Sequence, residues 1–351
     1  MPVSFNEAAT ANYGGDEAGL ICGFVFGPGG IGRALSSAAA ADWLAHARPA
    51  PDEAAPGFAW LHFNLAQVGA ERWLARHAEL APDFFEMLRD GVFSTRIERA
   101  DESLTAVIND VHFDFELDAS DISTLWISVD RRLVVTGRRH PLRSVDNLRT
   151  AVNRGESFRS TADLLERLMR TQADVLVGIV RSVTEHVDRI EDQLLAGRLV
   201  AKRARLGGLR RLLVRLQRLL APEPAALFRL LQNPPAWMAQ GDVQELRAAT
   251  EEFSVVLRDM QSLQERIKLL QEEIAASVNE DNNRSLFVLT IVTVLALPIN
   301  ILAGLFGMNV GGIPLNDQPH GFWVMVAIIG VLTGVIAALA LWRIRPRRGK
   351  R

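Results

Sequence analysis

The sequence predicts an α+β membrane protein, and three observations carry that prediction. Two apolar runs, Leu286–Phe306 and Phe322–Trp342, lie near the C-terminus; short β-type runs alternate with helical stretches through Arg139; and from Ser144 onward the pattern is helical. Each apolar run is about 20 residues long, enough for one α-helix to cross a hydrocarbon core of roughly 30 Å. From Ser285 through Trp342 the only formal charge is Asp317, so neither run reads as a buried helix of a water-soluble protein. The expected organisation is a cytoplasmic α/β domain (1–143), a cytoplasmic helical region ending in a long stalk helix (144–284), a two-helix transmembrane domain (285–342) with an external loop at 307–321, and a basic cytoplasmic tail (343–351).

In the first region the β-type runs Leu20–Phe26, Trp60–Leu65, Leu104–Asn109, Thr124–Val129 and Leu133–Gly137 are bounded by turn residues and interleaved with helical stretches such as Glu71–Glu79 and Pro82–Arg89. That mixture is an α/β domain of modest size. Gly27-Pro28-Gly29-Gly30 lacks a following Gly-Lys-Ser/Thr and precedes an Ala-rich helix, so it reads as a turn and not as a phosphate cradle.

Long helices are expected at Thr161–Leu195 and Val200–Leu220, then a break at Pro222-Glu223-Pro224, a short helix near Ala225–Leu231 and another break at Asn233-Pro234-Pro235. The final helix begins near Asp242 and meets no Pro or Gly until Pro298, a rod on the order of 90 Å at 1.5 Å per residue. Leu246, Phe253, Val256, Met260, Leu263, Ile267, Leu270 and Ile274 form a near-heptad stripe, which needs either the preceding helices or symmetry mates to cover it. The other faces carry Glu245, Glu251, Glu252, Asp259, Glu265, Glu272, Glu273, Glu280 and Asp281. They are either a solvated face balanced by Arg258, Arg266 and Lys268, or the lining of a cytoplasmic vestibule that concentrates cations, with Glu280 and Asp281 nearest the membrane.

Composition narrows the function classes. At a net charge of −2 no nucleic-acid footprint is apparent. The single Cys22 forms no internal disulfide and no cysteine zinc cluster, and seven scattered His residues show no His-x-x-x-His spacing. Met1–Gly30 has no basic stretch leading into an apolar one, so the region ahead of the first span is expected inside the cell. The tail agrees, since Arg343, Arg345, Arg347, Arg348, Lys350 and Arg351 follow the second span, whereas Gly307–Gly321 has no Lys or Arg. Both termini are therefore expected in the cytoplasm.

Polar residues of the first span fall on one side. At 100° per residue, Asn283, Leu286, Thr290, Thr293, Leu297, Asn300 and Gly304 lie within an arc of about 100°, while the apolar Phe287, Ile291 and Val294 lie outside it and the apolar Ile301 falls at its edge, in line with Asn283. A polar stripe in lipid faces another helix or water. Two spans enclose no pore within one chain, so conduction requires copies of the first helix around an axis.

Pro298 and the run Ala303-Gly304-Leu305-Phe306-Gly307-Met308-Asn309, closing the first of two C-terminal spans, resemble the signature of the CorA-type divalent-cation transporters. Position, long preceding helix and basic tail extend the resemblance over the whole chain. It implies an N-terminal α/β/α domain, a stalk helix continuing into the first span and a homopentameric funnel, with no enzymatic activity and no cofactor. It also implies a selectivity filter at Gly307, Met308 and Asn309, and places pore-lining positions on the arc from Asn283 to Gly304. Gly311-Gly312-Ile313-Pro314, without the aromatic and acid of magnesium-type members, is similar to the ZntB zinc-transporter branch.

The implied function is Zn²⁺ transport, in the direction of uptake, across the cell inner membrane. Rings of Asn amide and Thr hydroxyl oxygens accept hydrogen bonds from a hydrated cation, so the ion is not stripped at a large desolvation cost. Asn309 thus meets the metal through its hydration water, and Leu286 and Leu297 are apolar constrictions. Asp317 and His320 sit at the outer mouth, as cation collectors or plain loop residues. Proton coupling, a Mg²⁺/Co²⁺/Ni²⁺ channel of the same build, zinc efflux, and a membrane-anchored scaffold or sensor are the alternatives.

Overall fold

The computed structural model describes residues 14–46, 57–89, 91, 94–100, 102–118, 120–196, 203–308 and 319–344. The chain divides into two compact units, Met1–Gln271 and Glu272–Arg351.

A seven-stranded mixed sheet organises the first unit, in the order β2-β1-β3-β7-β6-β5-β4. The strands are β1 (Leu20–Phe26), β2 (Gly32–Ala34), β3 (Phe58–Asn64), β4 (Arg96–Ala100), β5 (Ser103–Val111), β6 (Ile122–Val129) and β7 (Leu133–Arg138). All neighbours run antiparallel except β3 and β7, where Trp60 stands beside Val134. β1 and β2 are joined through Gly27–Gly30, where Gly30 N–H donates to Gly27 O at 2.9 Å and Gly30 takes φ of 72°. That is a turn, as its residues predict.

Both faces of the sheet are covered, so the central strands are apolar on both sides. On one face α1 (Ser37–His46), α2 (Val68–His77) and α3 (Pro82–Arg89) pack over Leu61, Phe63, Val107, Trp126 and Val135. On the other, Trp60, Ile108, Leu125 and Ile127 meet α4 (Arg143–Asn153) and α5 (Thr161–Leu195). These are the layers of an α/β/α domain. α6 (Arg203–Leu220), α7 (Pro222–Leu230) and the 67-residue α8 (Gln240–Phe306) follow, and α9 (Gly321–Ile344) closes the described chain.

Local chemistry sets the helix starts. Ser160 Oγ accepts from Asp163 N–H at 3.0 Å, while the Asp163 carboxylate accepts from Arg159 N–H at 2.9 Å, a reciprocal cap on α5. Ser160 Oγ also donates to Asp242 at 2.9 Å, tying the start of α5 to the first turn of α8. Pro222 opens α7 at its first turn, where a missing N–H costs nothing, so this helix starts three residues ahead of the expected Ala225. α5 matches its expected bounds.

The stalk stripe from Leu246 to Ile274 is buried throughout. In the first unit its cover is the chain's own helices: Arg266 pairs with Asp188 at 2.8 Å and with Glu191 of α5, and Gln264 donates to Gln217 of α6 at 2.8 Å. Of the charges expected to balance the acidic face, Arg266 therefore serves α5, and Lys268 reaches Glu265 at 3.8 Å.

Two buried polar networks stand out, one joining β3 to β7 and one tying β5 to the helices. Thr136 Oγ1 accepts from Trp60 Nε1 at 2.9 Å and contacts His62 Nδ1 at 2.8 Å, and Arg138 Nε donates to His62 Nε2 at 3.1 Å. Burial and the Arg138 charge hold the His62 pKa well below its usual value. His62 is thus a neutral, satisfied core histidine. In the second network Asp110 accepts from Ser144 N–H at 3.0 Å and from Ser144 Oγ at 2.9 Å. Beside it, Gln172 Nε2 donates to Asn109 O at 2.8 Å and to Glu223 Oε2 at 3.3 Å. Burial pushes Asp110 up to about 6 and the fully enclosed Glu223 up to about 8.

Candidate ion-path site

The second unit consists of the end of α8 and α9, and its geometry follows from which face of each helix is covered. By length and composition α8 qualifies as a membrane-crossing helix. On α8, Ile291, Leu295, Pro298, Ile299 and Leu302 are partly covered. On α9, Gly321 and Met325 are buried, and Ile329 and Thr333 are partly covered. Spacings of three and four residues make each set one stripe.

The polar arc lies elsewhere on α8. Asn283, Thr290, Thr293, Asn300 and Gly304 are exposed, and Leu286 and Leu297 retain 61% and 57% of their accessible surface. At 100° per residue the centre of this arc is about 160° from the centre of the covered stripe. The covered side and the polar side of α8 are therefore opposite faces, and the polar side is free. Of the apolar residues beside the arc, Ile291 is partly covered, while Phe287, Val294 and the edge residue Ile301 are exposed. The covered stripe was missed in the sequence, where its residues look like the rest of the span.

Both threonines bond within the helix: Thr290 Oγ1 donates to Leu286 O at 2.8 Å and Thr293 Oγ1 to Leu289 O at 2.9 Å. A hydroxyl that spends its proton on its own backbone has only lone pairs left to offer outward. Both residues are thus acceptors on the free face. Pro298 lies inside α8 and has no N–H, so Val294 O lacks its usual helical partner.

At the C-terminal end of α8 Gly307 N–H donates to Ala303 O at 2.9 Å and Met308 N–H to Leu305 O at 3.5 Å, winding up the helix. Asn309 and Asp317 lie outside the described residues. His320 is exposed, and its carbonyl accepts from Val324 N–H at 3.2 Å in the first turn of α9. Ahead of the apolar stretch of α8 Glu280 and Asp281 are exposed, and among the described residues neither forms an ion pair with Arg284. No described cluster of His, Cys, Asp and Glu is arranged to hold a metal.

A three-layer domain with a long helix that ends in an apolar stretch with one free polar side is the build of a divalent-cation transporter. The chain belongs to the CorA-like Mg²⁺ transporter protein family, which it matches over residues 56–346. It is accordingly an ion transporter and not an enzyme. It is similar to the divalent cation transporter CmaX of Pseudomonas aeruginosa, with 28% identity over 320 residues, 90% of this chain and 93% of the relative. It is also similar to the zinc transport protein ZntB of Pectobacterium atrosepticum, with 23% identity over 278 residues, 79% of this chain and 85% of the relative. The solved structure of full-length CmaX superposes with a TM-score of 0.76 at 27% identity, covering 95% of this chain and 99% of that one.

Proposed function

We propose that this chain is a homopentameric inner-membrane transporter that takes up Zn²⁺ through a pore lined by the free arc of α8. The observation that carries the reading is the position of that arc opposite the covered stripe: each protomer has a partner for one side of α8 and none for the polar side. Five copies around an axis supply that partner as rings of Asn283, Thr290, Thr293 and Asn300, with Leu286 and Leu297 as apolar constrictions. Outward-facing lone pairs on the threonines suit the water shell of a divalent ion, and weak, repeated acceptors let the ion leave as well as enter.

In this reading residues 1–143 and 144–284 are cytoplasmic, 285–342 form the pore domain and 343–351 a cytoplasmic tail. The loop without Lys or Arg against the basic tail supports that orientation. Gly307, Met308 and Asn309 form the outer filter, Asp317 and His320 flank it, and Glu280 with Asp281 forms the inner mouth. Zinc is favoured by Gly311-Gly312-Ile313-Pro314 and by the ZntB relative. A Mg²⁺-type channel is the second reading, favoured by the family's own description.

The test is ion flux into liposomes holding the purified protein, for Zn²⁺ and Mg²⁺, with and without a proton gradient. We expect Zn²⁺ flux to exceed Mg²⁺ flux, and Asn309→Ala to lower it at least tenfold with the oligomer retained. Equal flux in Asn309→Ala removes the filter from the mechanism, and preferred Mg²⁺ flux selects the second reading.

A further inference from the structure

α6 is a two-faced helix whose polar face carries one sign of charge. Leu206, Leu209, Leu212, Leu213, Leu216 and Leu220 are buried, and the opposite side presents arginines. Arg203–Leu220 contains no Asp or Glu. At 100° per residue Arg210, Arg211, Arg215 and Arg218 fall within an arc of about 140°. Arg211, Arg215 and Arg218 are exposed and Arg210 is half-buried.

Elsewhere in the same unit helix-surface arginines meet carboxylates: Arg159 meets Glu245 at 2.8 Å, Arg167 meets Glu156 at 2.8 Å, and Arg170 pairs with Glu166. On α6 none of the four arginines forms an ion pair among the described residues. Arg210 reaches only Gln271 Oε1, at 3.5 Å. Asp118, held below the usual carboxylate range by its Ser120 hydrogen bonds, feels the Arg215 charge without pairing to it.

These side chains surround a hollow of about 500 Å³ lined by Gly207, Arg210, Arg211, Arg215, Arg218 and Gln271. Gly207 lies on its floor, where an added Cβ would stand at ordinary contact distance, 3.6 Å from Arg211 Nη1 and 3.8 Å from Gln271 Nε2. Guanidinium groups bind phosphate through paired, charge-assisted hydrogen bonds, and several together favour an anion of several charges over chloride or a single carboxylate. We propose that this face of α6 is a binding site for a phosphate-bearing polyanion. Its source is either a free polyphosphate-type anion or the headgroup of an anionic lipid.

Two probes separate the sources in the full-length protein: inorganic tripolyphosphate, followed by calorimetry, and short-chain phosphatidic acid, followed by native mass spectrometry of the oligomer. At least one should bind the wild type saturably, at least tenfold more tightly than Arg211→Gln/Arg215→Gln, and more weakly as salt rises. Glutamine keeps helix propensity, so the fold is expected to survive; should the double variant fail to assemble, Arg218→Gln alone must weaken the same binding severalfold. Equal binding by wild type and variant, or binding of neither probe, overturns the proposal. So does a smaller oligomer in both variants, which would assign the face to a contact between protomers.

Discussion

Two segments of α8 carry regular stripes of similar period and meet opposite fates. From Leu246 to Leu270 the apolar stripe is buried; from Asn283 to Gly304 the polar arc is exposed. Around the stalk the solvent is water, so the apolar residues must be covered, and α5 and α6 of the same chain cover them. In a bilayer the requirement reverses. Apolar side chains are content against lipid, and the polar side is what needs a partner. The first stripe is thus satisfied within one chain, while the second is left for other copies.

The sharpest break in that comparison is a pair of truncations. Phe253 is fully buried and Leu297 is 57% exposed. Phe253→Ala should cost about 3–5 kcal/mol and lower the thermal midpoint by roughly 10 °C, whereas Leu297→Ala should leave it within about 2 °C. Thermal unfolding followed by circular dichroism measures both. A large drop for Leu297→Ala would mean that the free arc is packed within the protomer after all.

Protonation gives the next largest effect, confined to the first unit. Burial raises Glu223 to about 8, above the carboxyl value of an unfolded chain. Between those values the native state holds the extra proton, so stability falls as pH rises through the window and levels off above about 8. Asp110, raised to about 6, contributes its loss mostly below that pH, so a scan from roughly pH 6.5 to 8.5 isolates Glu223. The wild type should lose on the order of 1–3 kcal/mol across this range, and Glu223→Gln should remove most of the slope. An unchanged slope in the variant would assign the dependence to another group.

A labelling contrast sharpens the comparison inside the hairpin. In a Cys22→Ser background, single cysteines at Thr293, Leu297 and Asn300 should react with small water-soluble thiol reagents, and cysteines at Ile291 and Leu295 should be protected. Thiols facing lipid or a neighbouring helix see little water and stay protonated. Equal rates at all five positions would place no aqueous path along the arc.

The smallest expected effect concerns the inner mouth. Neutralising Glu280 and Asp281 together, to Gln and Asn, should lower flux severalfold at low ionic strength and little near physiological salt, where fields reach about 8 Å. Loss of the oligomer with no salt-dependent change in flux would instead make these acids partners in a contact between chains.

Some of this protein is legible because local chemistry decides it. Thr161–Leu195 follows from periodicity, the strands at Leu20–Phe26 and Leu133–Gly137 from apolar runs between turns, the second ending one residue later at Arg138, and the polar arc from 100° spacing alone. Two strands escaped notice for equally physical reasons. β2 has only three residues, and β4 reads Arg-Ile-Glu-Arg-Ala, the charged sequence of an exposed edge that carries no apolar alternation.

By itself, then, the sequence determined most of the helices and the central strands, which runs suit lipid and which side of the first span is polar, because each of these depends on neighbours within a few residues. Tertiary structure alone decided that β3 pairs parallel with the distant β7, that the stalk stripe is covered by its own chain, and that the covered stripe of the first span lies opposite the polar arc. It also decided that Glu223 is enclosed and that Arg210, Arg211, Arg215 and Arg218 form no ion pair among the described residues. These outcomes depend on contacts between residues far apart in the chain, where many pairings satisfy the same local pattern and only the packing of the whole selects one.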